Sequence, residues 1–174
     1  MFRFFLLNYV FFGIIALNFP TSLQADQVTG LKIIAIVLSK TCPLPDGPDM
    51  AIDSPDSILK SVTNPSCPKL GDKQLIQTAI QNQGKSPKHA GIEITVNVDG
   101  KELKKKRHRK VYTIQAGDTA RVLHEIDLEN TGRYQIAVRI WDSRFKRILL
   151  NTSSGDERLF YIASPQDVEV AKTH

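Results

Sequence analysis

Over the second half of the chain, apolar and polar residues alternate with a period of two. Ile92, Ile94, Val96 and Val98 alternate with Glu93, Thr95, Asn97 and Asp99. Ala120, Val122, His124 and Ile126 do the same against Arg121, Leu123, Glu125 and Asp127, and Tyr134, Ile136, Val138 and Ile140 against Arg133, Gln135, Ala137 and Arg139. Successive side chains on a strand point to opposite faces, so this is the pattern of strands with one face in a core. Turn signals separate them: Asn82-Gln83-Gly84, Asp99-Gly100, Gly117-Asp118 and Asn130-Thr131-Gly132. Asp99-Gly100 predicts a two-residue hairpin, because both central positions tolerate positive φ. The apolar, β-branched run Leu31–Ser39 predicts a first strand, Lys101–Ile114 the return of the hairpin, and Arg158–Ala163 a last strand. Gln74–Asn82 fits either a helical stripe or a strand. Turn signals about every 8–12 residues, with no convincing helices alternating between strands, imply an all-β sandwich or barrel and argue against a parallel α/β sheet.

Three segments break the pattern. Thr41–Lys69 holds six prolines (Pro43, Pro45, Pro48, Pro55, Pro65 and Pro68) and both cysteines, Cys42 and Cys67. Proline removes ladder donors, so this reads as a long loop, with a short helical turn at Ile58–Val62. The polar tail after Pro165 is expected to be loose. At the other end, Arg3 precedes an apolar run from Phe4 to Leu17 and a polar stretch ending at Ala25, the layout of a secretory signal peptide. Leu23, two residues before Ala25, is larger than usual there, so an uncleaved membrane anchor stays open. The expected organisation is residues 1–25 as signal peptide, 26–70 as first strand plus proline-rich cysteine loop, 71–163 as sandwich and 164–174 as polar tail.

The order of motifs from Gly71-Asp72 and Gln77–Gly84, through Ile94–Lys101 and Ile114–Ala120, to Gly132–Val138 resembles the CARDB-like domains of bacterial and archaeal exported proteins. The resemblance spans about residues 71–162. It implies a single immunoglobulin-like β-sandwich of the fibronectin III/CARDB kind, and it turns Gln74–Asn82 into a strand. It also implies an adhesion or spacer role. The proline-rich cysteine insert and the basic run Lys104–Lys110 depart from the family pattern. Asn130-Thr131-Gly132-Arg133-Tyr134 has the layout of a tyrosine corner, with an ordinary core tyrosine as the other reading of Tyr134.

Charge and chemistry sharpen this modestly. The net charge of +5 falls by one if the leader carrying Arg3 is removed. Two cysteines in an exported chain predict a Cys42–Cys67 disulfide closing the proline-rich insert after the first strand. His89, His108, His124 and His174 lack ligand spacing, and the loop acids Asp46, Asp49, Asp53 and Asp56 lack that of a calcium loop, so no metal site and no cofactor are expected. Nucleophile-elbow and phosphate-loop motifs are absent, and no catalytic residue is assigned. The run Lys104, Lys105, Lys106, Arg107, His108, Arg109, Lys110 is charged on both faces if it is a strand, so it must lie in a protruding hairpin, a loop or an edge. Two readings stay open for it: lysines that protect an edge from pairing with another chain, and a contact for a polyanion or acidic protein. The near absence of aromatics beside it, and export itself, argue against nucleic acid. Trp141 lies on the Arg133–Arg139 side of its strand, where it is either an exposed anchor for a partner or packed under the Arg144–Leu150 hairpin, packing being the expected outcome. The sequence therefore points to a non-catalytic exported module, periplasmic or extracellular, that contacts a protein, acidic glycan or lipid surface, with its oligomeric state open. The alternative is a periplasmic small-ligand or metal carrier with the Cys42–Cys67 loop as lid.

Overall fold

A computed structural model describes residues 30–42, 55–152 and 157–173. The leader, the loop acids Asp46, Asp49 and Asp53, and His174 fall outside the described residues. The chain forms strands β1 (Leu31–Leu38), β2 (Lys73–Asn82), β3 (Lys88–Val98), β4 (Lys101–Glu102), β5 (His108–Ile114), β6 (Thr119–Asp127), β7 (Gly132–Asp142), β8 (Ile148–Asn151) and β9 (Arg158–Ile162). Among the described residues two helices flank them, α1 (Pro55–Thr63) and α2 (Pro165–Lys172).

The strands pair antiparallel into two sheets. One holds β1-β2-β6; in the other, β3 and β7 lie side by side, with β4 and β5 sharing the lane beyond β3, and β8 and β9 the lane beyond β7. Counted as lanes, the first, second and fifth make one sheet and the third, fourth, sixth and seventh the other. This is an all-β sandwich with the immunoglobulin Greek key, its fourth lane carried beside the third. The segment Gln74–Asn82 is a strand, and β1 is the edge of the three-stranded sheet, so the sandwich begins at Leu31 rather than near Gly71.

Ile36, Ile76, Ile80, Val122 and Ile126 of one sheet meet Ile92, Ile94, Val96, Ile136, Val138 and Ile140 of the other in the core. The period of two places each of these inward, and burial of each apolar side chain stabilises the fold by roughly 1.5–3 kcal/mol before entropy is counted. Asn82, fully buried, secures the first predicted turn: its amide nitrogen donates to the carbonyls of Ser86 and Ile114, and its oxygen accepts from the Gly84 N–H. Asp99 and Gly100 both take positive φ, as their hairpin requires.

Two further expectations are corrected. The tail is not loose: α2 is capped by Ser164 and Asp167 in a reciprocal capping box, has Pro165 in its first turn, and packs on α1. And the polar face of β3 is not wet, since Glu93 and Thr95 are nearly as buried as Ile94 between them.

Candidate functional site

The insert is stapled as the cysteine count implied: Cys42 and Cys67 are disulfide-bonded at a sequence separation of 25. Closing a loop of that length stabilises the fold by about 3–4 kcal/mol in the chain-entropy model. Beside the staple, Lys40 pairs with Asp72 at 2.7 Å and the Lys69 N–H donates to the same carboxylate. Lys40's hydrogen bond first, then that of Lys69, hold the Asp72 carboxyl below the usual range. A disulfide is the bond of an oxidising compartment, consistent with an exported domain.

The basic run is divided by the fold. Lys104–Lys106 form a 3-10 turn rather than a strand, and β5 follows on the edge of the six-stranded sheet. Lys104, Lys105 and Lys110 are exposed, with no acidic partner within ion-pairing distance among the described residues. Lys106 pairs with Glu129 at 3.0 Å. Arg107 donates from Nε to Glu102 at 2.7 Å and also through its terminal nitrogen. Arg107 and Arg109 also turn toward the outer face of the sheet, to a buried acid that strand alternation alone places on the solvent side.

That residue is Glu93, only 3% exposed. Register places it between Arg109 on β5 and Arg139 on β7. Its carboxylate accepts the Trp141 indole N–H at 2.8 Å, with Arg107, Arg109 and Arg139 within 3.7–3.9 Å. Next to it, Gly91 leaves a gap that the Phe145 ring fills: a Cβ on Gly91 would lie 2.5 Å from that ring. Phe145 reaches over from the β7–β8 hairpin at positive φ, and the Arg109 guanidinium stacks on it 4.2 Å from its centroid. Trp141 therefore packs under the hairpin. Asp142 holds the hairpin closed by accepting N–H donors of Arg144 and Lys146, the Lys146 bond being the main reason its carboxyl lies below the usual range. Arg144, Lys146 and Arg147 are exposed on this hairpin. The one signal for the cluster available in sequence is a lone acid on the polar side of β3, whose partners depend on strand pairing.

The even side of β5 meets β6. His108 lies 5.4 Å from His124, ring centroid to centroid, and hydrogen-bonds to Tyr112 Oη at 3.0 Å. His124 Nε2 donates to the Lys106 carbonyl at 2.6 Å. Burial first, then His124 and Lys110, push the His108 imidazole below its ordinary pKa. His89 is apart from these, bonded to Thr113. Among the described residues no three His, Cys, Asp or Glu side chains converge as a metal site. Tyr134 is fully buried and stacked on Phe160; its hydroxyl donates to the Asn130 carbonyl at 3.1 Å and accepts the Asn130 N–H at 3.2 Å. A cleft of about 630 Å³ lies between the β3–β4 turn and the start of α2, bounded by Asp99, Thr131, Arg133, Tyr161 and Asp167. Both of its acids are engaged, Asp99 by the Arg133 N–H and Asp167 by Ser164 and Tyr161. No helix of the described residues is long and apolar enough to cross a membrane.

No family model matches the chain, and no curated protein does. Solved structures do. The C-terminal domain of Wzt is similar at 11% identity and a TM-score of 0.48, covering 78% of this chain and 74% of that one. A CARDB domain from Pyrococcus furiosus, determined in complex with di-metal ions, is similar at 10% identity and a TM-score of 0.39, covering 55% of this chain and 80% of that one. A β-glucuronidase from glycoside hydrolase family 2 is similar at 16% identity and a TM-score of 0.42 over 55% of this chain. This chain spans only 10% of the glucuronidase's length.

Proposed function

We propose that this chain is a non-catalytic binding module of an exported compartment, and that it docks an acidic partner on the outer face of the six-stranded sheet. The carrying observation is the excess of cations on a rigid face. Arg107, Arg109, Arg139, Arg144, Lys146 and Arg147 stand against Glu93, Glu102 and Asp142. Buried Glu93 and the Phe145 ring hold Arg107, Arg109 and Arg139 in fixed positions, which lowers the ordering entropy a partner must offset. Lys104, Lys105 and Lys110 extend the positive field around the β5 edge, where lysines also discourage pairing with another strand.

Retention on an immobilised acidic polymer tests the reading. Replacing Arg144, Lys146 and Arg147 by alanine is expected to lower the salt needed for elution markedly, and replacing Lys104, Lys105 and Lys110 to lower it less. If neither triple variant elutes earlier than the parent chain, this face is not a docking site.

A further inference from the structure

The outer face of the three-stranded sheet differs from its counterpart in having nothing laid across it among the described residues, and in exposing apolar side chains on either side of a central glutamine, Gln77. Cross-strand register orders it into rows. Val37, Gln77 and Leu123 form the middle row. Leu75 and Glu125 form the row on one side, with Ser39 just past β1 hydrogen-bonded to Leu75; Ala35, Ala79 and Arg121 form the row on the other. Val37 is 52% exposed, Leu75 36% and Leu123 58%, and Ile34, the extra residue of a bulge in β1, is 47% exposed beside them. Contiguous apolar surface on a sheet face marks an interaction site more often than isolated exposed residues do.

The pattern is self-complementary. A two-fold axis lying in the face along the middle row would set each residue of that row against its own copy and exchange the two flanking rows. Leu123 would meet Leu123 and Val37 would meet Val37. Large Leu75 would fall on small Ala79. Glu125 would fall on Arg121; among the described residues Arg121 has no acidic partner of its own within 4 Å, and Glu125 pairs with exposed Lys73 at 2.7 Å. Gln77 would meet Gln77, and two amides can each donate to and accept from the other.

We propose that this chain forms a two-fold homodimer through the outer face of its three-stranded sheet, with Leu123, Val37 and Leu75 as the apolar centre and Arg121–Glu125 contacts repeated on both sides of the axis. An isologous pair is the commonest symmetric assembly, and face-to-face sheet packing buries such rows as a sandwich core does. The proposal concerns a different face from the acidic-partner site and stands without it.

Sedimentation equilibrium over a concentration series of the purified chain tests it. The parent chain is expected to dimerise. L123E, which opposes two carboxylates across the axis, is expected to be monomeric. R121E alone and E125R alone each create two like-charge contacts and should weaken dimerisation roughly tenfold or more. Mixing the R121E and E125R chains restores an opposite-charge pair on both sides, so the mixture should dimerise better than either variant alone. All three positions are exposed, and circular dichroism checks that each variant stays folded. A parent chain that is monomeric throughout overturns the proposal and leaves the face to a different protein. A dimer indifferent to L123E, or single variants whose mixture gains nothing, overturns it equally.

Discussion

The two outer faces of this sandwich are built from the same alternating strands and end in opposite states. On the six-stranded sheet, β3 is buried on both sides, because Phe145 and Trp141 close over Gly91 and Glu93 while three arginines surround the carboxylate. On the three-stranded sheet, Leu123 and Val37 stand in solvent with nothing folded over them among the described residues. Alternation decides which side of a strand faces the core. Whether the other side is wet depends on what the rest of the chain lays across it. Here polar residues are covered and apolar ones are open, the reverse of what hydropathy alone suggests.

The largest expected effect is at the covered face. Glu93→Ala would leave the Trp141 N–H without its acceptor and three guanidinium groups facing one another without their common carboxylate. Removing one partner of a buried ionic group is expected to destabilise the fold by about 3–5 kcal/mol, read from urea unfolding. If Glu93→Ala costs no more than a surface substitution, the cover over β3 is not a stabilising element.

A smaller effect is expected at Gly91. Gly91→Ala drives a methyl into the Phe145 ring, so the hairpin must lift or the ring rotate away, at about 1–3 kcal/mol. Combining it with Phe145→Ala should remove most of that increment, so the two substitutions will be far from additive in a double-mutant cycle. Additivity would mean that the ring does not lie over Gly91 in solution.

The smallest effect belongs to the seam where β5 of one sheet meets β6 of the other. Burial lowers the pKa of His108 in the folded chain below its ordinary value of 6.5, and His124 and Lys110 add to this. The unfolded chain therefore binds more protons between the two values. The stabilising contribution is fully present above about pH 6.5 and is lost as pH falls through the folded value. Thermal melts at falling pH should show the midpoint dropping below about pH 6.5, with a shallower drop in His108→Gln. An identical slope in the variant would place the pH sensitivity elsewhere.

Much of the scaffold was legible in the chain. Period-two alternation located β3, β6 and β7, Asp99-Gly100 located the hairpin between β3 and β4, and the cysteine count located the staple. These features are local, set by side-chain direction, allowed φ and loop closure. The helical tail was not legible there, for a reason that is also physical. Residues 165–172 have few apolar positions, and their helix depends on a capping box and on packing against α1, a partner far away in sequence. The basic run was legible as an edge but not as a divided one, since the partners of Arg107 and Arg109 include Glu93 on the neighbouring strand.

By itself, then, the sequence determined an all-β sandwich with a closed proline-rich insert, because strand period, turn chemistry and cysteine pairing act over short stretches. Only the tertiary structure decided the fate of the outer faces. Register set Glu93 between Arg109 and Arg139, and a hairpin folded back over Gly91. The same pairing rules lined up Val37, Gln77 and Leu123 in one open row. Neighbours across a sheet are fixed by pairing between distant segments, and that pairing determines which charges are neutralised and which apolar rows are left for a partner.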